Sequence, residues 1–118
     1  MSHYLEAPQG RFELHRFPVR KNDLLQAWDA ADEYLLQHVA SLELPENAHL
    51  VIVNDAFGAL AVALHAQRPT ALSDSYLSQA ATRENLRLNG LDEDTVTLID
   101  SLALPRPGID TLLIRIPK

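Results

Sequence analysis

Cysteine is absent from this 118-residue chain. That excludes a disulfide framework, a thiolate nucleophile and a cysteine-ligated zinc or iron–sulfur centre. Glycine is scarce, with 4 in all. Only one of them, Gly58, falls in the turn where a dinucleotide or adenosyl loop would use several. Basic charge is also short: 10 Lys and Arg face 16 Asp and Glu, a net charge of −6. Nucleic-acid affinity draws on released counterions, so an acidic domain is a poor general binder of RNA or DNA, and only a local basic patch would contact phosphates. The 5 histidines (His3, His15, His38, His49, His65) include no pair four residues apart, which argues against an imidazole metal site. The longest apolar run, residues 59–64, is too short for a bilayer, and no cationic, apolar leader opens the chain. A soluble, cytoplasmic protein with no membrane partner is expected. There is no Gly-x-Ser-x-Gly elbow and no Walker lysine loop.

What is present reads as one α/β domain spanning 1–118. Residues 1–10, polar with Pro8 and Gly10, are expected to form a flexible arm. Residues 11–17 alternate weakly as a strand stopped by Pro18. Leu24, Leu25, Trp28, Ala31, Leu35, Leu36 and Val39 recur at helical steps, with Asp23 and Gln26 resembling a capping box. Residues 50–53 are a continuous apolar run, as in a strand buried on both faces. A helix follows, capped by Asn54 or Asp55 and running to about Gln67, then a short strand at 70–72. A second helix, capped by Asp74 or Ser75, extends to Asn89, where Gly90 supplies a left-handed stop. Residues 95–99 and 111–116 read as two more strands, joined by a loop at 104–108.

Strands alternating with helices imply parallel pairing and right-handed crossovers. The expectation is a Rossmann-like, partial doubly wound sheet, mostly parallel and in three layers. In the usual order the third of these strands lies outermost and the fourth sits beside the first. An apolar strand next to the last residue would leave an open edge, so the chain is expected to be part of a longer protein, with a second copy as one possible cover.

Chemistry-bearing positions are few. Asp74 lies 16 positions after Gly58, short of the roughly twenty expected for a ribose-binding carboxylate. It is read first as a helix cap and second as a vestigial cofactor ligand. Asp100, ending the third strand, is read first as a loop residue capping Leu102 and its neighbours and second as a vestigial position facing an adenine. The carboxylates Asp92, Glu93 and Asp94 read as a solvated turn, and Glu84 as a partner of Arg83 or Arg87. His15, Arg16, Arg20 and Lys21 form the only concentration of positive charge, and Arg16, Arg20 and Lys21 are the candidates for RNA phosphates.

Residues 73–91, with Asp74 after a strand and a helix closing in Asn85-Leu86-Arg87-Leu88-Asn89-Gly90, resemble the second half of a class I S-adenosylmethionine methyltransferase site. More specific strings are Asn54-Asp55-Ala56-Phe57-Gly58-Ala59-Leu60 and Ala81-Thr82-Arg83-Glu84-Asn85, with Ala30-Ala31-Asp32-Glu33-Tyr34-Leu35-Leu36 beside them. Together they resemble the N-terminal domain of the bacterial 23S rRNA guanine-N2 methyltransferase G family, kin of the 16S rRNA guanine-N2 methyltransferase C family. The resemblance covers nearly the whole chain from about Arg11.

That resemblance implies two tandem methyltransferase-like domains. The C-terminal one would hold S-adenosylmethionine and an Asn-Pro-Pro-Tyr-type motif that grips the target amine. The N-terminal one would be a degenerate copy that helps hold 23S rRNA or supports its catalytic partner domain. Here Asp55 and Phe57 stand where relatives of the wider class carry glycine. The fourth strand leads into Arg115-Ile116-Pro117-Lys118, without the asparagine, second proline or aromatic of the motif. The implied function is therefore non-catalytic, with Gly58, Asp74 and Asp100 as vestigial cofactor positions, no cofactor or metal held by this part, and methyl transfer belonging to the parent. Two rival readings are an enzyme, a small methyltransferase domain that binds S-adenosylmethionine through Asp74 and Asp100, and a stand-alone module that dimerises.

Overall fold

The computed structural model describes residues 4–16, 27–45, 48–55, 57–100 and 111–114. The chain opens with a hairpin of β1 (Tyr4–Ala7) and β2 (Gly10–Glu13), paired antiparallel with Leu5 opposite Phe12. Both of those side chains are buried. The expected flexible arm is thus corrected over Tyr4–Ala7. Leu5 and Phe12 together make an apolar face that neither makes alone, and two residues, Pro8 and Gln9, suffice for the turn.

Helix α1 (Ala30–Leu42) starts later than its apolar spacing predicts. Its cap is Asp29, whose Oδ1 accepts from Asp32 N–H at 3.0 Å while Asp32 Oδ2 accepts from Asp29 N–H at 3.1 Å. This reciprocal pair satisfies two amides at the helix entrance, and so takes the role expected of Asp23 and Gln26. Asp23 and Gln26 lie outside the described residues. Glu43 ends the helix in the left-handed region.

Four strands, β3 (Leu50–Val53), β4 (Thr70–Leu72), β5 (Thr97–Ile99) and β6 (Thr111–Ile114), form a sheet in the order β5-β4-β3-β6, all pairs parallel. This is the order expected from sequence, with the third strand of the sheet outermost and the fourth beside the first. Two connections differ in length from expectation. Helix α2 (Ala59–Ala63) is one short turn followed by a 3-10 turn at His65–Gln67, and a left-handed Arg68 leads into Pro69. A further 3-10 turn, Glu93–Thr95, takes the first residue expected of β5. Helix α3 (Tyr76–Leu88) joins β4 to that turn. The expected loop at 104–108 lies outside the described residues, and so do 115–116 beyond β6.

Register sorts the sheet into two faces. Ile52, Ala71, Leu98 and Leu113 are in-register neighbours on one face and pack into the core with Leu36 and Val39 of α1, all of α2, Leu86 of α3, and Leu5 and Phe12 of the hairpin. Helix α2 is buried on every side and touches both α1 and α3, which explains its wholly apolar sequence. On the other face, in register with Val51 and Val53, Leu112 and Ile114 are 50% and 53% exposed.

Candidate functional site: the crevice at the ends of the parallel strands

In an open parallel sheet, ligands bind outside the carboxyl ends of the strands where the strand order reverses. Here that point lies between β3 and β6, and the turn after β3 forms its floor. Asn54 takes a left-handed conformation (φ 64) and donates its N–H to Leu72 O at 3.0 Å. That bend sends Asp55 inward, where it is 5% exposed. Its carboxylate accepts from Ala61 N–H at 2.9 Å and from Leu60 N–H at 3.4 Å. The helix entrance, where backbone amides would otherwise receive a ligand's negative group, holds an anion from the chain itself.

Gly58 also has a left-handed backbone (φ 86), and a Cβ built there would lie 2.8 Å from both Thr82 Cα and Thr82 Oγ1. Its bare Cα lets the turn sit directly on α3. Asn85, one turn further along α3, is completely buried. Its Oδ1 accepts from His15 N–H at 2.9 Å, and its Nδ2 donates to His15 O at 3.0 Å and Phe57 O at 2.8 Å. Asn89 repeats the pattern one helical turn on. Its Oδ1 accepts from Glu13 N–H at 2.8 Å, and its Nδ2 donates to Glu13 O at 2.7 Å and Asn85 O at 2.7 Å.

Residues 13 and 15 point the same way along an extended chain. The two carboxamides, four apart on a helix, therefore pair with its edge as a neighbouring strand would. The asparagines quoted as a cofactor-site signature are thus the clamp that holds the N-terminal strand to α3. The sequence signal was present: two asparagines on one helical face, inside an otherwise ordinary amphipathic helix. Their partners, 70 and 76 residues away, carry no mark in the sequence.

Two more candidates lie on the same edge. Asp74 and Asp100 are exposed at the ends of neighbouring strands β4 and β5. The cap of α3 is Ser75, which accepts from Ser78 N–H at 3.2 Å, so the capping role read first for Asp74 is corrected. Ser75 N–H in turn donates to Ser73 Oγ at 3.1 Å. Gln79 Nε2 ties the two strand ends together by donating to Ser73 O (2.9 Å) and Ile99 O (3.1 Å). Glu84 does meet Arg87, and Arg87 also meets Glu93. Arg16 is half-buried, its guanidinium carbon 5.2 Å from the centre of the half-buried Phe57 ring. His15 is hydrogen-bonded to Glu13 at 2.8 Å. Arg20 and Lys21 lie outside the described residues.

Away from this edge, a cleft of about 300 Å³ opens between the hairpin turn, the end of α1 and the 3-10 turn, lined by Gln9, Val39, Leu44, Leu64 and Gln67 among others. Gln9 Oε1 and Gln67 Oε1 are buried there without a hydrogen-bond partner among the described residues. Among those residues no acidic, histidine or cysteine group of three or more is placed to hold a metal, and no helix is long and apolar enough to cross a membrane.

A sequence model of the RLMG N-terminal domain family matches residues 2–118. Proteins named ribosomal RNA large subunit methyltransferase G are similar to the chain along nearly its whole length. The one from Pectobacterium atrosepticum is 51% identical over 115 residues, covering 97% of this chain and 30% of the relative. That from Yersinia enterocolitica is 54% identical over 109 residues, covering 91% and 27%. That from Streptomyces avermitilis is 44% identical over 118 residues, covering 100% and 31%. The chain thus spans about 30% of the length of the curated relatives it matches.

Proposed function

The chain belongs to the RLMG N-terminal domain family, and from that premise we propose that it is the non-catalytic N-terminal part of a two-domain 23S rRNA guanine-N2 methyltransferase. In the parent, a C-terminal domain binds S-adenosylmethionine and transfers its methyl group to a guanine N2. This part helps hold the RNA substrate or supports that domain, in the cytoplasm. Its sheet is one half of a Rossmann-like, three-layer arrangement, and the exposed Leu112 and Ile114 on the second face support a further covering layer.

The observation that carries the reading is the Asp55 carboxylate in the mouth of α2. A sulfonium cofactor lying in such a crevice needs backbone it can approach closely, and places its own carboxylate where donors are free. Here the two amides are taken by Asp55, and Gly58 is committed to Thr82. The residues present do not fit the group, so Gly58, Asp74 and Asp100 are vestiges of a cofactor site and no chemical step runs through them.

RNA contact through Arg16, Arg20 and Lys21 is open to filter binding with 23S rRNA fragments across a salt series. Each phosphate paired on a single strand contributes about 0.7 to the slope of log affinity against log salt. Replacing the three by alanine is expected to weaken binding and flatten that slope by about 1 to 2, the lower figure where Arg16 meets a base and only Arg20 and Lys21 meet phosphates. An unchanged slope removes the patch from the RNA interface.

A further inference from the structure

The pair Arg16 and Phe57 lies beside the turn after β3, at the strand ends. The guanidinium rests over the ring at 5.2 Å, within the range of a cation–π contact. A single buried side chain fixes both halves. Asn85 binds the backbone of His15, the residue before Arg16, on its N–H and its C=O, and it binds the carbonyl of Phe57 itself. The two are thus positioned before any ligand arrives, and a group held in advance loses little entropy on binding. Both remain partly open to solvent.

We propose that Arg16 and Phe57 form a stacking platform for one unpaired nucleobase of the RNA substrate, a proposal that rests on the RNA-binding reading above. The chemistry around the pair decides between ligands. A phosphate site would need several donors, but the amides of Leu60 and Ala61 already serve Asp55. A flat, polarisable ring suits a planar cation beside an aromatic face. The base must be unpaired, because in a duplex both of its faces are covered by its neighbours. Stacking on this platform is largely indifferent to salt, unlike the contacts of the basic cluster.

The test uses the whole chain with a short, unstructured oligoribonucleotide carrying a fluorescent aminopurine, which dims when stacked. Affinity is read across a salt series for the unaltered protein, Phe57→Leu, Phe57→Tyr and Arg16→Lys. The platform is supported if Phe57→Leu weakens binding about tenfold and loses the dimming while the salt slope is unchanged. Phe57→Tyr is then expected to stay within about twofold, because the ring is kept. Arg16→Lys, which keeps the charge and loses the plane, is expected to fall about threefold with the slope again unchanged. Urea midpoints show which variants are folded, and Arg16→Lys still decides the matter if Phe57→Leu is not. If the unaltered protein binds with a steep salt slope and these ring and plane variants match it, the platform is overturned and the basic-cluster reading stands. If the unaltered protein neither binds nor dims the probe, the RNA-binding reading fails together with the platform.

Discussion

Replacing Asn85 by leucine, which keeps the branched side-chain skeleton but is larger and has no polar atoms, is expected to destabilise the fold by about 3–5 kcal/mol in urea denaturation. The loss comprises three hydrogen bonds, and the groups left behind are backbone: His15 N–H, His15 O and Phe57 O. Removing one partner strands the other, at roughly 1–3 kcal/mol for each buried group. Domains of this size have about 5–15 kcal/mol in total, so the variant would sit near the edge of folding. Asn89→Leu is the internal comparison. Asn89 is only half-buried, so water can reach part of the clamp, and about 1–2 kcal/mol is expected. A loss at position 85 no larger than that at 89 would mean that the N-terminal strand is held mainly by its apolar contacts.

The second large effect is expected at Gly58. Alanine there is expected to cost about 3 kcal/mol or more, again read from urea unfolding. A left-handed backbone costs a non-glycine residue about 1–2 kcal/mol, and the new methyl group would overlap Thr82 at 2.8 Å from its Cα. Overpacking of this kind adds about 1–3 kcal/mol. Thr82→Ala is expected to rescue only part of the loss, because Cα belongs to the α3 backbone and stays in place. The result also bears on why glycine stands here. A glycine kept open for a ligand would tolerate a methyl group with little change in stability; one that seats a turn on a helix would not.

Much of the sheet was legible because local chemistry and tertiary role agree there. Leu50–Val53 is apolar throughout and buried throughout, apart from its last residue. Pro69 and Gly90 stop what precedes them, and the strand order follows from alternating helices and strands. Of the hairpin, the second strand was legible in the alternation from Arg11 but β1 was not, because it is 4 residues long and its apolar face exists only once Leu5 meets Phe12. The start of α1 was misplaced for a related reason. Apolar residues at helical spacing continue back to Leu24, and spacing alone does not say which of Asp23 and Asp29 is the cap. A reciprocal bond to the residue three positions on forms at Asp29, and Asp23 lies outside the described residues.

The crevice shows the same division. Asp55 was readable as a helix cap, because a carboxylate just ahead of an apolar helix has orphan amides within reach. Asn85 and Asn89 were visible as a motif, yet their partners come from the other end of the chain, and no local pattern announces a contact over 70 residues. The same spacing that reads as a cofactor-site signature serves here as a strand clamp. Motif and role separate once the ligand side of a fold is filled from within.

The direct test of that filling is a titration of the protein with S-adenosylmethionine, following the backbone amide resonances of Leu60, Ala61 and Phe57 by NMR. With the Asp55 carboxylate on the amides of Leu60 and Ala61, these signals are expected to stay where they are up to millimolar cofactor. Saturable shifts of the same signals at micromolar cofactor would contradict the account, because they would require Asp55 to yield its place to the ligand.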